Sequence, residues 1–352
     1  MKPWCSASLT RPDAVLTAFH CVSSTHSGDM LKVFFPFEGV RDVDPGSIRP
    51  FCFQSGKAGA QLGPEGCSEW TDDLAVLELK TPYSLLQPFK LGDASVTSKN
   101  SKVTIAGFGY QDQTLSVYGV SHQGKTVISG CEVGMDSDAM GAEEIDRALC
   151  LRIDGTKFAE TRIGPLDSGG PMFSNDAESG EQNLIGVALG SEPVEGTGGT
   201  VRIARYVNLT DPFYRDWLES EAFSGAVAQM AYSIETLVWD DVRKLQPGKK
   251  NVFDLKIGES SERLLLTLNH EPGSSQFFNN LDLQLPDSLE AACERHASVE
   301  ACTVENPPAG SYHFSVGWGE ICSADGACRD PVHSSAYQVT AIVLYDKPVT
   351  GE

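Results

Sequence analysis

The chain is poor in positive charge and in histidine, and no apolar run is long. Lys and Arg number 27 against 48 Asp and Glu, a formal charge of −21. A surface this acidic repels phosphodiesters and anionic lipid, so nucleic acid and anionic membrane are excluded as partners. No uninterrupted apolar stretch approaches the roughly 20 residues of a membrane-crossing helix, and no membrane span is expected. The seven histidines are scattered and no Cys-x-x-Cys knuckle occurs, so no metal site and no cofactor are implied. The opening "MKPWCSASLT" lacks the apolar core of a signal peptide and reads straight into a strand. Tandem repeats and low-complexity tracts are also missing.

What is present is an even set of ten cysteines, 34 glycines and 19 prolines. The cysteines read as disulfides formed in an oxidising compartment, against the alternative of buried free thiols. Disulfides without an export signal imply that a preceding segment is missing from this sequence. The glycines and prolines punctuate short Val/Ile/Leu/Phe runs, which predicts an all-β chain. "AVLTAFHCV", "LKVFFPF", "LAVLELK", "KVTIAGFG", "NLIGVALG" and "TVRIARYVNL" are strands of a first domain over 1–222. It closes on a helix, "DPFYRDWLES", with an Asp cap, Pro in the first turn and Phe213, Trp217 and Leu218 on one face. The small-residue stretch over 223–233 reads as a linker. From 234 to 352, "NVFDLKI", "RLLLTLN", "LDLQLP", "SYHFSVGW" and "SAYQVTAIVLY" have the spacing of a small β-sandwich.

Three separated stretches carry chemistry together. "VLTAFHC" places His20 at a strand end, "TDDLAVLEL" places Asp73 just before an apolar strand, and "DSGGP" presents Ser168. A serine hydroxyl is a poor nucleophile until an imidazole takes its proton. The imidazole in turn needs a carboxylate to fix its tautomer and to stabilise the cation that forms. Glycines after the serine allow a tight turn, bringing backbone close to a bound acyl group. His…Asp…Ser is a known chain order for such a set; an α/β-hydrolase would need another order and alternating strands and helices.

With those residues quoted, the segment from Trp4 to the helix near Ser220 resembles the trypsin/chymotrypsin-like serine proteases. "WCSASL…AVLTAFHC" matches their Cys-Gly-Gly-Ser-Leu…Val-Leu-Thr-Ala-Ala-His-Cys block, with Phe19 replacing an alanine. "DDLAVLEL" matches Asp-Ile-Ala-Leu-Leu-x-Leu, and "LDSGGP" matches Gly-Asp-Ser-Gly-Gly-Pro. The resemblance implies a double six-stranded β-barrel with its active site between the barrels. It implies His20 as general base, Asp73 as its orienter, Ser168 as nucleophile and an oxyanion hole from the Leu166 and Ser168 N–H groups. It also implies disulfides Cys5–Cys21 and Cys131–Cys150, with Cys52–Cys67 as a local closure peculiar to this chain. "ALG", Ala188 to Gly190, takes the place of the family's Ser-Trp-Gly substrate wall. Three departures follow. Leu166 stands where the family has the glycine of the oxyanion hole. Asp167, which in the family pairs with a freed N-terminal amine on zymogen activation, faces either that amine or Arg162. Arg162 also stands where trypsins carry the pocket-floor aspartate, which would favour an acidic residue at the cleavage site.

From about residue 234 the chain resembles the bacterial pre-peptidase C-terminal domain, carried by "NNLDLQL" and "CERHASVEACTVENPPAGSYHFSV". That resemblance implies Cys293–Cys302, with Cys322–Cys328 closing a second loop. Asp282 and Glu300 are candidate calcium carboxylates, read first as solvated surface. Asn208-Leu-Thr210 fits a glycosylation acceptor. The function expected is that of a secreted, monomeric serine endopeptidase acting on protein or peptide. The alternative is a catalytically impaired homologue serving as a binding or adhesion module.

Overall fold

A computed structural model of the 352-residue chain describes residues 5–23, 31–35, 39–51, 73–83, 88–109, 122–131, 147–154, 166–175, 182–194, 197, 201–224, 232–270, 281–296, 299–319, 321–322, 328–329 and 335–346. The first group of strands is β1 (Ser8–Arg11), β2 (Ala14–Thr17), β3 (Lys32–Phe35), β4 (Gly39–Asp42), β5 (Arg49–Pro50) and β6 (Ala75–Glu78). β1, β2, β6 and β5 are hydrogen-bonded in that order, and the β3–β4 hairpin is tied to β6 by the Val43–Leu79 bridge. Leu16 and Val76 of these strands, with Leu74 and Tyr83 from the adjoining segments, are almost fully buried.

The second group is β7 (Lys90–Leu91), β8 (Lys102–Gly107), β9 (His122–Val127), β10 (Ala148–Asp154), β11 (Pro171–Asn175), β12 (Gln182–Pro193) and β13 (Val201–Asn208). The order is β10-β13-β12-β11-β8-β9, with β7 parallel to β12. A bridge from Ser129, just past β9, to Cys150 of β10 joins the two ends and closes the sheet on itself. The Cys131–Cys150 disulfide lies at this seam. The interior fills with Val103, Ile105, Leu151, Met172, Ile185 and Tyr206. The fold is the all-β, trypsin-like one, followed by a further β domain.

The helix α1 (Pro212–Trp217) has the predicted cap: Asp211 Oδ1 accepts from the Phe213 N–H at 2.9 Å. It widens into a π turn over Leu218–Ala222. The buried face differs from the expected one. Tyr214, Trp217, Leu218 and Ala222 are buried, whereas Phe213 is half-exposed and carries the Arg147 guanidinium 4.0 Å above its ring. Phe51, beside β5, meets Tyr214 and Trp217 edge-on at 5.1 and 5.2 Å, so the helix docks against the first group of strands.

The remaining strands are β14 (Tyr232–Leu245), β15 (Asn251–Ile257), β16 (Ser261–His270), β17 (Leu281–Gln284), β18 (Ala292–His296), β19 (Val299–Glu305), β20 (Gly310–Trp318), β21 (Ile321–Cys322), β22 (Cys328–Arg329) and β23 (Ser335–Asp346). They form a five-stranded sheet, β14-β23-β16-β19-β18, facing a three-stranded one, β15-β20-β17. β15 alternates as a half-buried strand should, with Phe253, Leu255 and Ile257 inward. The disulfide Cys293–Cys302 links β18 and β19, and Cys322 is paired with Cys328 in the β21–β22 ladder. Glu300 of β19 accepts the Leu283 N–H of β17 at 2.8 Å, so this carboxylate ties the two sheets together.

Tyr206 lies in the core of the closed barrel, 1% exposed. Burial pushes its phenol well above the usual value, and the charge of Asp167 adds to the effect. The unfolded phenol ionises near pH ~10, while the folded one stays neutral. Stability from this group is therefore complete below about pH 10 and is lost as the pH climbs further, by up to about 1.4 kcal/mol per pH unit. Tyr206→Phe is expected to flatten the fall in urea midpoint between pH 9 and 11; an unaltered slope would refute the assignment.

Candidate active site

His20 and Asp73 are brought together by neighbouring strands. β2 ends at Thr17, opposite Ala75 of β6, so the residue just after β2 and the residue just before β6 meet at one end of the sheet. Phe19–Cys21 then forms a single 3-10 turn that swings the imidazole toward Asp73. Asp73 Oδ1 accepts the His20 backbone N–H at 2.6 Å, and its Oδ2 meets His20 Nδ1 at 2.5 Å. Held at both points, the ring keeps its proton on Nδ1 and presents Nε2 as the acceptor. The Cys5–Cys21 disulfide braces this turn; Cys21 Sγ lies 3.8 Å from His20 Nε2 and 3.7 Å from the Ser168 carbonyl.

Ser168 sits on a loop clamped by backbone to the segment just ahead of β1. The Ser6 N–H donates to the Ser168 carbonyl at 2.8 Å, and Thr17 Oγ1 donates to the Ser6 carbonyl at 2.8 Å. Ser6 Oγ accepts from the Phe108 N–H at 3.0 Å. On the other side Gly169 donates to Ala188 and Ala188 to Gly170, each at 2.8 Å. A Cβ on Gly169, whose φ is 81°, would overlap Thr17 Oγ1 and the Ser6 carbonyl; one on Gly170 would crowd the Ala106 and Asp167 carbonyls. The glycines are required by the close approach of the loop to the strand end that leads to His20.

The structure joins two of the three expected partners directly. The Ser168 hydroxyl donates to the Leu189 carbonyl at 3.3 Å, and no hydrogen bond links it to His20. Leu189 is able to accept it because β12 bulges there: Ala188 pairs with Tyr206 and Gly190 with Arg205, leaving Leu189 outside the ladder. Ala188 is 1% exposed and both its backbone groups bond to the nucleophile loop, so it anchors that loop rather than forming open wall. Leu189 and Gly190 are half-exposed, and a Cβ at Gly190 would meet no described atom within 4 Å.

Leu166 has a φ of 77°. The loop thus holds a leucine in the left-handed conformation that a glycine would adopt freely, at a cost of about 1–2 kcal/mol. Asp167 is buried and accepts the Gly109 N–H at 2.7 Å; His122 Nε2 lies 3.4 Å from the same oxygen. Arg162, the residue expected beside Asp167 and at the pocket floor, lies outside the described residues, as do Cys52 and Cys67. Sequence reading missed Ser6 and His122. Ser6 was visible only as the residue replacing a glycine in the Cys-Gly-Gly block, and nothing in "SHQGKTV" marks His122. Asn208, the candidate glycosylation acceptor, turns its Oδ1 back onto the Thr210 N–H (3.1 Å) and hydroxyl (2.8 Å), and Thr210 is buried.

The model of the family described as Trypsin matches residues 1–218, more than half of the chain. The chain belongs to the trypsin family. No curated protein matches it. A trypsin-family domain carries a serine protease-like function in general. Its three described disulfides, with no described helix long and apolar enough to cross a membrane, are compatible with an extracellular setting. The side-chain clusters of metal-ligand type among the described residues, Cys5/His20/Cys21 and Cys293/Glu300/Cys302, have their sulfurs in disulfides.

Leu166→Gly removes the strain but adds freedom to the unfolded chain, worth about 0.5–1 kcal/mol in the opposite direction. Calorimetry is expected to show a melting temperature equal to or slightly above that of the parent. Leu166→Val, with a β-branched side chain at the same φ, should melt several degrees lower. A glycine variant that melts well below the parent would mean that the leucine is not strained.

Proposed function

We propose that the chain is a secreted serine endopeptidase that cleaves peptide bonds through an acyl-enzyme on Ser168. The observation that carries this is the two-point grip of Asp73 on His20, which fixes the tautomer a general base needs. Rotation of Ser168 about its Cα–Cβ bond, between ordinary staggered wells, releases the hydroxyl from Leu189 to face Nε2. The hydroxyl oxygen then attacks the scissile carbonyl carbon as His20 takes its proton. The resulting oxyanion is held by the Leu166 and Ser168 N–H groups. The positive φ at Leu166 bears on this hole, because it sets which way the peptide beside Asp167 faces. Collapse expels the amine, which takes the proton from His20, and water enters by the same route to release the acid.

Arg162 favours acidic residues at the cleavage site, and Leu189 and Gly190 line an aliphatic wall beside an extended substrate. The strands from β14 onward are read as a β-sandwich of the pre-peptidase C-terminal kind, appended for export or substrate attachment. A second reading has one observation in its favour. The Ser168 hydroxyl is spent on Leu189 and Leu166 is strained, as in an impaired homologue that binds rather than cuts.

An organophosphonate separates the two. It is expected to label the parent chain at Ser168 and to leave Ser168→Ala unlabelled. Asp73→Asn, which keeps the geometry but not the tautomer, should slow peptide hydrolysis by roughly 10⁴. A folded parent that the reagent never labels would establish the binding reading instead.

A further inference from the structure

Two departures from the family's motif blocks meet in the structure. Ser6 and Leu166 each stand where those blocks carry glycine, and they are 160 positions apart in the chain. The Ser6 hydroxyl nevertheless donates to the Leu166 carbonyl at 3.4 Å. Ser6 is 4% exposed, and each of its polar groups is engaged. Its N–H donates to the Ser168 carbonyl and its carbonyl accepts from Thr17 Oγ1, both at 2.8 Å. Its Oγ accepts the Phe108 N–H at 3.0 Å. A hydroxyl has one proton to give. With the Phe108 N–H on one lone pair, that proton turns away from Phe108 and toward the Leu166 carbonyl.

The consequence lies in the two donors of the proposed oxyanion hole. Leu166 and Ser168 supply their N–H groups to it, and both are fastened at their carbonyls to Ser6, one by its hydroxyl and the other by its amide. These two bonds differ in what they ask of the sequence. Any residue except proline at position 6 offers the amide. The bond to Leu166 requires the side chain. Its recipient is the residue that holds a φ of 77°, a conformation that a side chain disfavours and glycine adopts freely. A leucine there is drawn toward negative φ, and such a turn would swing its own N–H away from the hole. Glycine at this place would feel no such pull and would need no second residue to hold it.

We propose that Ser6 is a positioning residue of the oxyanion loop, matched to Leu166: its hydroxyl holds the leucine at positive φ, so that the Leu166 and Ser168 N–H groups face one oxyanion. This rests on the protease reading above and adds to it a residue outside the catalytic three. The serine compensates for the leucine. Once glycine stands at position 166 the hydroxyl is no longer required, so the effects of changing the two residues depend on each other.

The test has two arms. In the active chain, Ser6→Ala keeps the backbone bonds and removes the hydroxyl. It is expected to lower kcat about 10²-fold, as for a misplaced oxyanion donor, with little change in KM. In the Leu166→Gly background the same change should cost at least about tenfold less, a coupling of the size found between residues in contact. The Phe108 N–H loses its acceptor in both backgrounds, so that loss cancels in the comparison. Ser6→Gly should give the same two results without a side chain at all. A smaller gap overturns the proposal, losses equal within about twofold marking independent sites. So does a Ser6→Ala enzyme whose KM rises at the parent kcat. The second arm needs no activity. In the inert Ser168→Ala protein labelled at leucine, NMR couplings across the N–Cα bond report the φ of Leu166. They are expected to show a positive φ that moves toward negative values when Ser6→Ala is added. A φ that stays positive overturns the holding role, whatever the enzyme does. A parent chain that never reacts with the phosphonate sinks the protease reading, while the couplings still decide whether Ser6 holds Leu166.

Discussion

The Ser6 amide gives its proton to the Ser168 carbonyl, while the Ser6 carbonyl takes the Thr17 hydroxyl proton. Through these two bonds the backbone ahead of β1, the strand end that leads to His20 and the nucleophile loop share one small volume. Each bond alone adds only about 1 kcal/mol to stability. Their larger effect is geometric, because they set how near the serine lies to the imidazole. The approach leaves no room for side chains at 169 and 170. A tightly turned loop has to take up its curvature somewhere, and here a leucine takes part of it at a positive φ.

Two imidazole–carboxylate pairs flank this loop and differ in kind. Asp73 grips His20 at both backbone and ring with short contacts, in a partly open position. Asp167 is buried and meets His122 at a longer distance, 3.4 Å. Between them the serine hydroxyl rests on the one carbonyl that a bulge in β12 has released from its ladder.

The sheet containing β16 and β23 is buried on both faces. Leu264, Leu266 and Leu268 of β16, with Val339, Ala341 and Val343 of β23, point into the sandwich core. The alternate residues Leu265, Ile342 and Leu344 join the cluster that includes the core of the first barrel. Two-sided burial is why "RLLLTLN" and "AIVLY" are apolar without alternation. The sandwich therefore shares apolar burial with the first barrel, whereas β15, with one wet face, alternates cleanly.

Residue order alone disclosed much of this. The spacing of apolar runs and turn residues set an all-β chain with a capped helix near 212, and three short motifs named His20, Asp73 and Ser168. Those are local properties: strand alternation, a cap and a glycine pair each act over a few residues. The pairing of His122 with Asp167, the role of Ser6, the resting partner of Ser168 and the inward turn of Tyr214 in place of Phe213 were decided only by tertiary structure. Each depends on strands distant in the chain meeting at a particular register. A histidine in an ordinary alternating strand carries no mark of the carboxylate that β8 and the nucleophile loop will bring to it.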